Sequence, residues 1–254
     1  MIDGHIHFNK QPYTLEIVNE MVKTALSKGI DEIWLLDHTH KFKEFAFLYS
    51  TLRDDLTVAW YQKKSPIPIQ EYFDFIKEVK SHEWPIKIKF GLEVCYFPEH
   101  EKQLKEVLNS LPTFDFLIGS VHFEFGSGID IKKEICEKYD IIEFNKEYFK
   151  IEEQAIKSRL FTVIGHPDLI KLYSNISNTE IYLPMIEHLA STFEQYNQLT
   201  ENNSGLVRHG FPYPGLSEQV IKVFKKHHVK FHRSSDAHEA KDIGRCFEEL
   251  EENI

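Results

Sequence analysis

An α/β fold, a parallel sheet wound by helices, is predicted for this chain by three observations. Apolar runs of strand length alternate with segments of helical period along the sequence. Each run leads to a histidine, a carboxylate or an asparagine pair. Metal-ligand residue types at the carboxyl ends of successive strands are what a (β/α) barrel metalloenzyme requires, because that face carries its site. The length of 254 residues, 42% of them hydrophobic, suits one such domain over residues 1–254.

The first run, Met1 to Ile2, leads to His5-Ile6-His7. Thr14 to Ser27 reads as a helix: Thr14 caps it, Ile17, Met21 and Leu26 fall near one face, and Gly29 stops it. Glu32 to Leu36 is the second strand, ahead of Asp37-His38-Thr39-His40. Ser65-Pro66-Ile67-Pro68 is a loop entering a helix over Ile69 to Lys80. Ile86 to Phe90 precedes Glu93, and a helix runs from His100 to Leu108. Phe114 to Ile118 leads to His122, and Lys146 to Ser158 is helical. Leu160 to Ile164 leads to His166-Pro167-Asp168, Ile181 to Tyr196 is helical, and the run near Leu199 ends at Asn202-Asn203. Ser217 caps a helix reaching His228 with Val220, Ile221 and Phe224 facing inward, and Val229 to His232 precedes Asp236-Ala237-His238. Seven strands are one short of the usual eight, but the alternation still favours a parallel sheet over a sandwich or a bundle.

Composition excludes several classes. The start, Met1-Ile2-Asp3-Gly4-His5, has no basic segment followed by an apolar one, and no stretch approaches the roughly 20 apolar residues that span a bilayer. A soluble cytoplasmic protein is expected, without membrane association. Cys95, Cys136 and Cys246 lie far apart without CxxC spacing, so reduced thiols are expected rather than disulfides or a zinc ribbon. A formal net charge of -10 argues against nucleic acid as partner and would be offset in part by bound cations.

His5 and His7 stand two residues apart on a strand, so both imidazoles can reach one ion. Alone, such a pair is equally well a pair of solvated strand histidines. Glu93, His122, His166, Asp236 and His238, each at its own strand end, make a shared site the better reading.

Gly91-Leu92-Glu93-Val94-Cys95-Tyr96, Gly119-Ser120-Val121-His122-Phe123, Gly165-His166-Pro167-Asp168, Asn203-Ser204-Gly205-Leu206 and Ser234-Ser235-Asp236-Ala237-His238 follow one another in this order. This set resembles the PHP (polymerase and histidinol phosphatase) superfamily, and within it the histidinol-phosphate phosphatases, over nearly the whole chain. The resemblance implies a distorted seven-stranded TIM-like (β/α) barrel. It implies His5, His7, Glu93 and Asp236 as ligands of a first metal, with Glu93 bridging to a second ion on His122 and His166. A third ion would be held partly by His38 and His238. Two to three divalent ions are therefore expected, zinc, manganese or iron, donors of these types suiting all three.

Two positions depart from the family pattern. Gln11-Pro12-Tyr13 stands where many relatives carry a third-metal histidine, and His40 replaces a proline of the turn after the second strand. His40 is either a replacement ligand or a polar loop residue. Cys95, where relatives often have Asp, reads as a small buried hydrophobe.

The resemblance implies hydrolysis of a small phosphate monoester, histidinol phosphate in histidine biosynthesis, by a metal-bridging hydroxide, with Asp236 or a nearby histidine such as His238 protonating the leaving alkoxide. Arg208 is implied as a phosphate contact, against the alternative of a solvated surface arginine. Lys171, just past His166-Pro167-Asp168, stands where a second basic phosphate contact would be useful. Two other readings stay open: a phosphoesterase acting on phosphotyrosine or a nucleotide, and a metal-binding module without catalysis. Completeness of the first two ligand sets argues against the last.

Overall fold

The computed structural model of the chain describes residues 1–8, 11–174 and 179–254. Its elements are β1 (Ile2–His7), α1 (Leu15–Ser27), β2 (Glu32–His38), α2 (Asp55–Gln62), α3 (Ile69–Lys80), β3 (Lys87–Cys95), α4 (Glu101–Ser110), β4 (Phe116–Ser120), the short strands β5 (Phe123–Glu124) and β6 (Ser127–Gly128), α5 (Lys133–Cys136), α6 (Ile141–Ser158), β7 (Val163–Ile164), α7 (Thr179–Tyr196), β8 (Leu199–Asn203), α8 (Glu218–Lys226) and β9 (Phe231–Ser234). Seven strands form one sheet in the order β1-β2-β3-β4-β7-β8-β9, every neighbouring pair parallel. The sheet curls until its ends meet. His7 N donates to the Ala237 carbonyl at 2.8 Å and Ala237 N to that of His5 at 3.3 Å, which nearly closes a seven-stranded barrel.

Side-chain alternation sorts the core into two layers. Trp34 and Leu36 of β2 meet Phe116, Ile118 and Val163 in a cluster contributed by strands. His38 shares their parity, so this inner layer leads up to the barrel mouth. Ile33 and Leu35 face the opposite way, into the larger cluster that packs helices against the sheet. The helices α1 and α3 offer apolar stripes to that layer: Val18, Met21, Val22 and Ala25 on α1, and Tyr72, Phe75, Ile76 and Val79 on α3. The Thr14 and Ser217 side chains accept from Ile17 N and Val220 N, capping α1 and α8 as read from sequence.

The differences from expectation are local. β1 and β3 run on through His7 and Cys95, so His5, His7 and Glu93 lie within strands rather than after them. The fifth barrel strand shrinks to Val163–Ile164, while α6 starts five residues early because Asp140 caps it. The helix α2 and the 3₁₀ turns over Thr39–Thr51 were not anticipated. No helix among the described residues is long and apolar enough to cross a membrane.

Candidate metal centre

Glu93 stands at the middle of the barrel mouth and divides its two oxygens between two groups of imidazoles. Oε2 lies 2.8 Å from His38 Nδ1, 3.3 Å from His7 Nε2 and 3.5 Å from His5 Nε2. Oε1 lies 3.0 Å from His166 Nε2 and 3.4 Å from His122 Nε2. Asp236 Oδ1 is 3.2 Å from both His7 Nε2 and His238 Nε2. Three sets of donor atoms converge within 4.8 Å of one another: His5, His7 and Glu93; Glu93, His122 and His166; His7, His38 and His238. The Nε2 atoms of His5 and His7 are only 3.0 Å apart. Two lone pairs that close repel unless a proton or a cation lies between or beside them, so the donor set fits divalent metal.

The local backbone is shaped for this. A register irregularity between Asp3 and Ile6 shifts β1 against β2, a bulge of the kind that re-aims side chains beside sites. Gly4 is required there, because a Cβ would fall 2.0 Å from the His232 ring. His166 and Asp236 have φ of 25° and 49°, strained values for side-chain-bearing residues. His166 N is held by Glu201 Oε1 at 2.8 Å, and the Asp236 carbonyl by Arg208 Nη1 at 2.6 Å.

Glu201 went unmarked in the sequence. Both its oxygens lie 3.1 Å from His5 Nδ1, fixing the ring so that Nε2 faces His7 and Glu93, and Asn203 Nδ2 donates to Oε1 at 2.7 Å. His232 is buried on β9 with Nδ1 3.1 Å from the Thr200 carbonyl.

Burial opposes charge throughout, and the neighbours decide which groups carry it. Burial pulls His5 down, but Glu201, Glu93 and Asp236 raise it well above its ordinary value. His166 rises against burial to about 9 through its hydrogen bond to Glu93 and that carboxylate's charge. Burial, with His38 and His238 beside it, holds His7 well below its usual range, and burial takes His122 to about 4. Against their own burial, Glu93 is kept well below the carboxylate range by His38 and His122, and Asp236 by Arg208 and His5. The carboxylates thus favour positive charge among the imidazoles around them, a charge that a bound cation would supply instead. Asp236 lies 3.2 Å from both His7 Nε2 and His238 Nε2, with the Arg208 guanidinium beside it.

The centre opens into a cavity of about 310 Å³, within the range of small-ligand pockets. Arg208 lines it, its guanidinium 3.3 Å from Asp236 Oδ1 and still partly exposed. Lys171 does not line it. The 3₁₀ turn Leu169–Leu172 folds its ammonium inward, to Asp168 Oδ2 and the Gly215 carbonyl, both at 2.6 Å, so the phosphate contact expected of Lys171 is corrected to a buried structural pair. His40 reaches the cavity wall, stacked 4.8 Å from His38 and edge-on to Trp60 at 5.1 Å, outside all three ligand sets. Tyr13 is turned away, donating to Asp37 Oδ2 at 2.7 Å. His209, unmarked in the sequence, lines the cavity.

A parallel barrel with these ligand sets at its mouth is a divalent-metal protein. Residues 3–205 match the PHP domain model, and the chain belongs to that family. It is similar to a protein of Deinococcus radiodurans named probable histidinol-phosphatase, with 23% identity over all of this chain and 92% of the relative. It is also similar, at 23% identity over 97% of this chain and 96% of the relative, to the histidinol-phosphatase of Bacillus subtilis. Among solved structures, the HisK protein of Listeria monocytogenes shares the fold with a TM-score of 0.78 and 21% identity, covering 98% of this chain and all of that one. Histidinol phosphate phosphatase from Lactococcus lactis, solved with zinc, L-histidinol and phosphate, does so with a TM-score of 0.69 and 19% identity over 94% of this chain and 87% of its own.

Proposed function

We propose that this PHP-family chain is a metal-dependent phosphomonoesterase whose substrate is L-histidinol phosphate. The observation that carries the reading is Glu93, whose two oxygens serve two histidine groups at the floor of a small cleft that Arg208 also lines. His5, His7, Glu93 and Asp236 would hold one ion, Glu93, His122 and His166 a second, and His38 and His238 part of the shell of a third. Such cations, zinc, manganese or iron, would supply Lewis-acid activation of water and neutralise charge gathering on phosphoryl oxygens. Arg208, which lines the cavity and is partly exposed, would meet the phosphate with its guanidinium while it also holds Asp236 and His209. Relatives named as histidinol-phosphatases that align along the chain support the choice of ester. Phosphate release from L-histidinol phosphate and from phosphotyrosine, compared with each of the three metals, tests it. Preference for phosphotyrosine would overturn the substrate.

Metal analysis of protein purified without chelator should find at least two ions per chain. One or none after reconstitution would sink a binuclear centre. Arg208→Met should lower kcat/KM roughly ten- to a hundred-fold, the loss of about 1.5–3 kcal/mol typical of hydrogen bonds to charged groups. Because Arg208 also touches Asp236, metal content is measured in the same preparation. A kcat/KM within two-fold of wild type would return Arg208 to the surface.

A further inference from the structure

The cleft contains an acid that the metal centre does not use. Asp130, two residues beyond β6, is half-buried and lines the same cavity as Arg208, Glu93 and His122. The other two carboxylates there, Glu93 and Asp236, are taken up by imidazoles and by Arg208. Among the described residues the Asp130 carboxylate has no hydrogen-bond or ion-pair partner. Its charge is nevertheless felt inside the cleft, where it acts against burial at both His122 and His209. Trp60 and Phe123 lie along the cavity wall with ring centroids 5.8 Å apart.

A carboxylate without a partner in a cavity that aromatic rings also line is suited to an organic ammonium, which it meets with a charge-assisted hydrogen bond while the rings offer apolar surface to the rest of the molecule. The same cavity of about 310 Å³ presents a guanidinium to the phosphate, so one small molecule with a cationic and an anionic end matches both charges. We infer that Asp130 is a specificity-determining residue that receives the ammonium group of the substrate. This rests on the phosphatase reading above, since L-histidinol phosphate carries a primary ammonium two carbons from its ester oxygen.

The test compares L-histidinol phosphate with its des-amino analogue, in which hydrogen replaces the ammonium, on metal-loaded enzyme. The wild type should favour the ammonium ester roughly ten- to a hundred-fold in kcat/KM, the range expected when a site built to bind a charged group meets an analogue lacking it. Asp130→Asn should bring that ratio close to one, mainly through a higher KM for the ammonium ester, and Asp130→Glu should restore part of it. Metal content reports whether the centre is intact in each variant. A ratio that survives Asp130→Asn, including through equal losses on both esters, overturns the assignment. So does a wild type that hydrolyses both esters equally, which would leave the phosphatase reading standing. A wild type that hydrolyses neither ester but releases phosphate from phosphotyrosine overturns the substrate reading and this inference together.

Discussion

Glu93→Gln is expected to empty the metal centre and remove turnover while leaving the barrel folded. The substitution keeps the shape of the side chain and deletes a charge that five imidazoles surround within 3.5 Å. An amide has one oxygen, so it cannot serve both histidine groups, and its NH₂ would point a donor at one of them. Loss of the ligand shared by two ions should lower kcat/KM by roughly a hundred-fold or more, beyond the ten- to hundred-fold typical of disturbing a group behind a metal ligand. Metal content and phosphate release should fall together, with the circular dichroism spectrum preserved. Activity within a few-fold of wild type would show that Glu93 is not the shared ligand.

Glu201→Gln should weaken metal binding roughly ten- to a hundred-fold without removing any ligand atom, the usual effect of disturbing the group behind a metal-binding histidine. The reason is a tautomer. Glu201 Oε1 already accepts from His166 N and Asn203 Nδ2, so the amide oxygen of the variant must take that place. The amide nitrogen then falls where Oε2 was, 3.1 Å from His5 Nδ1, and offers that atom a proton. His5 is driven to carry its hydrogen on Nε2, the nitrogen that faces His7 and Glu93, and its ligating lone pair is lost. The charge that lifts His5 disappears as well. Titration with zinc under competition from a chelator would measure the effect, and an affinity within two-fold of wild type would make Glu201 a packing residue only.

The barrel and most of its mouth could be read from the chain because both follow short-range rules. Buried parallel strands are nearly continuous apolar runs, and histidines or carboxylates near their ends stand out against them, as His122 after Phe116–Ser120 does. Glu201 escaped because it sits in the polar run Thr200-Glu201-Asn202-Asn203, where nothing marks one carboxylate as special. The available signal was parity: Glu201 shares a strand face with Asn203, already singled out, whereas Asn202 faces away to Leu216 N and the Glu251 carbonyl. Lys171 shows the converse error. It follows His166 closely in sequence, but one 3₁₀ turn is enough to carry its ammonium out of the cleft. The wall formed by α2 was hidden for a third reason, since Leu56, Val58, Trp60 and Tyr61 form no single stripe and only the Asp54 cap announces a helix.

The closure of the sheet between β1 and the segment around Ala237 has a consequence for how the molecule comes into being. Asp3 accepts hydrogen bonds from Ser235 across 232 residues of chain, and the exchange between His5, His7 and Ala237 seals the same seam. His5 and His7 emerge first during synthesis, yet Asp236 and His238 can join them only when the final strand docks. Contacts of such long sequence separation form against a large loop-closure entropy and set a slow pace. An ion that binds the finished mouth and not the open sheet pulls this last step forward by mass action. Metal supply is thereby linked to the yield of folded protein as well as to its activity.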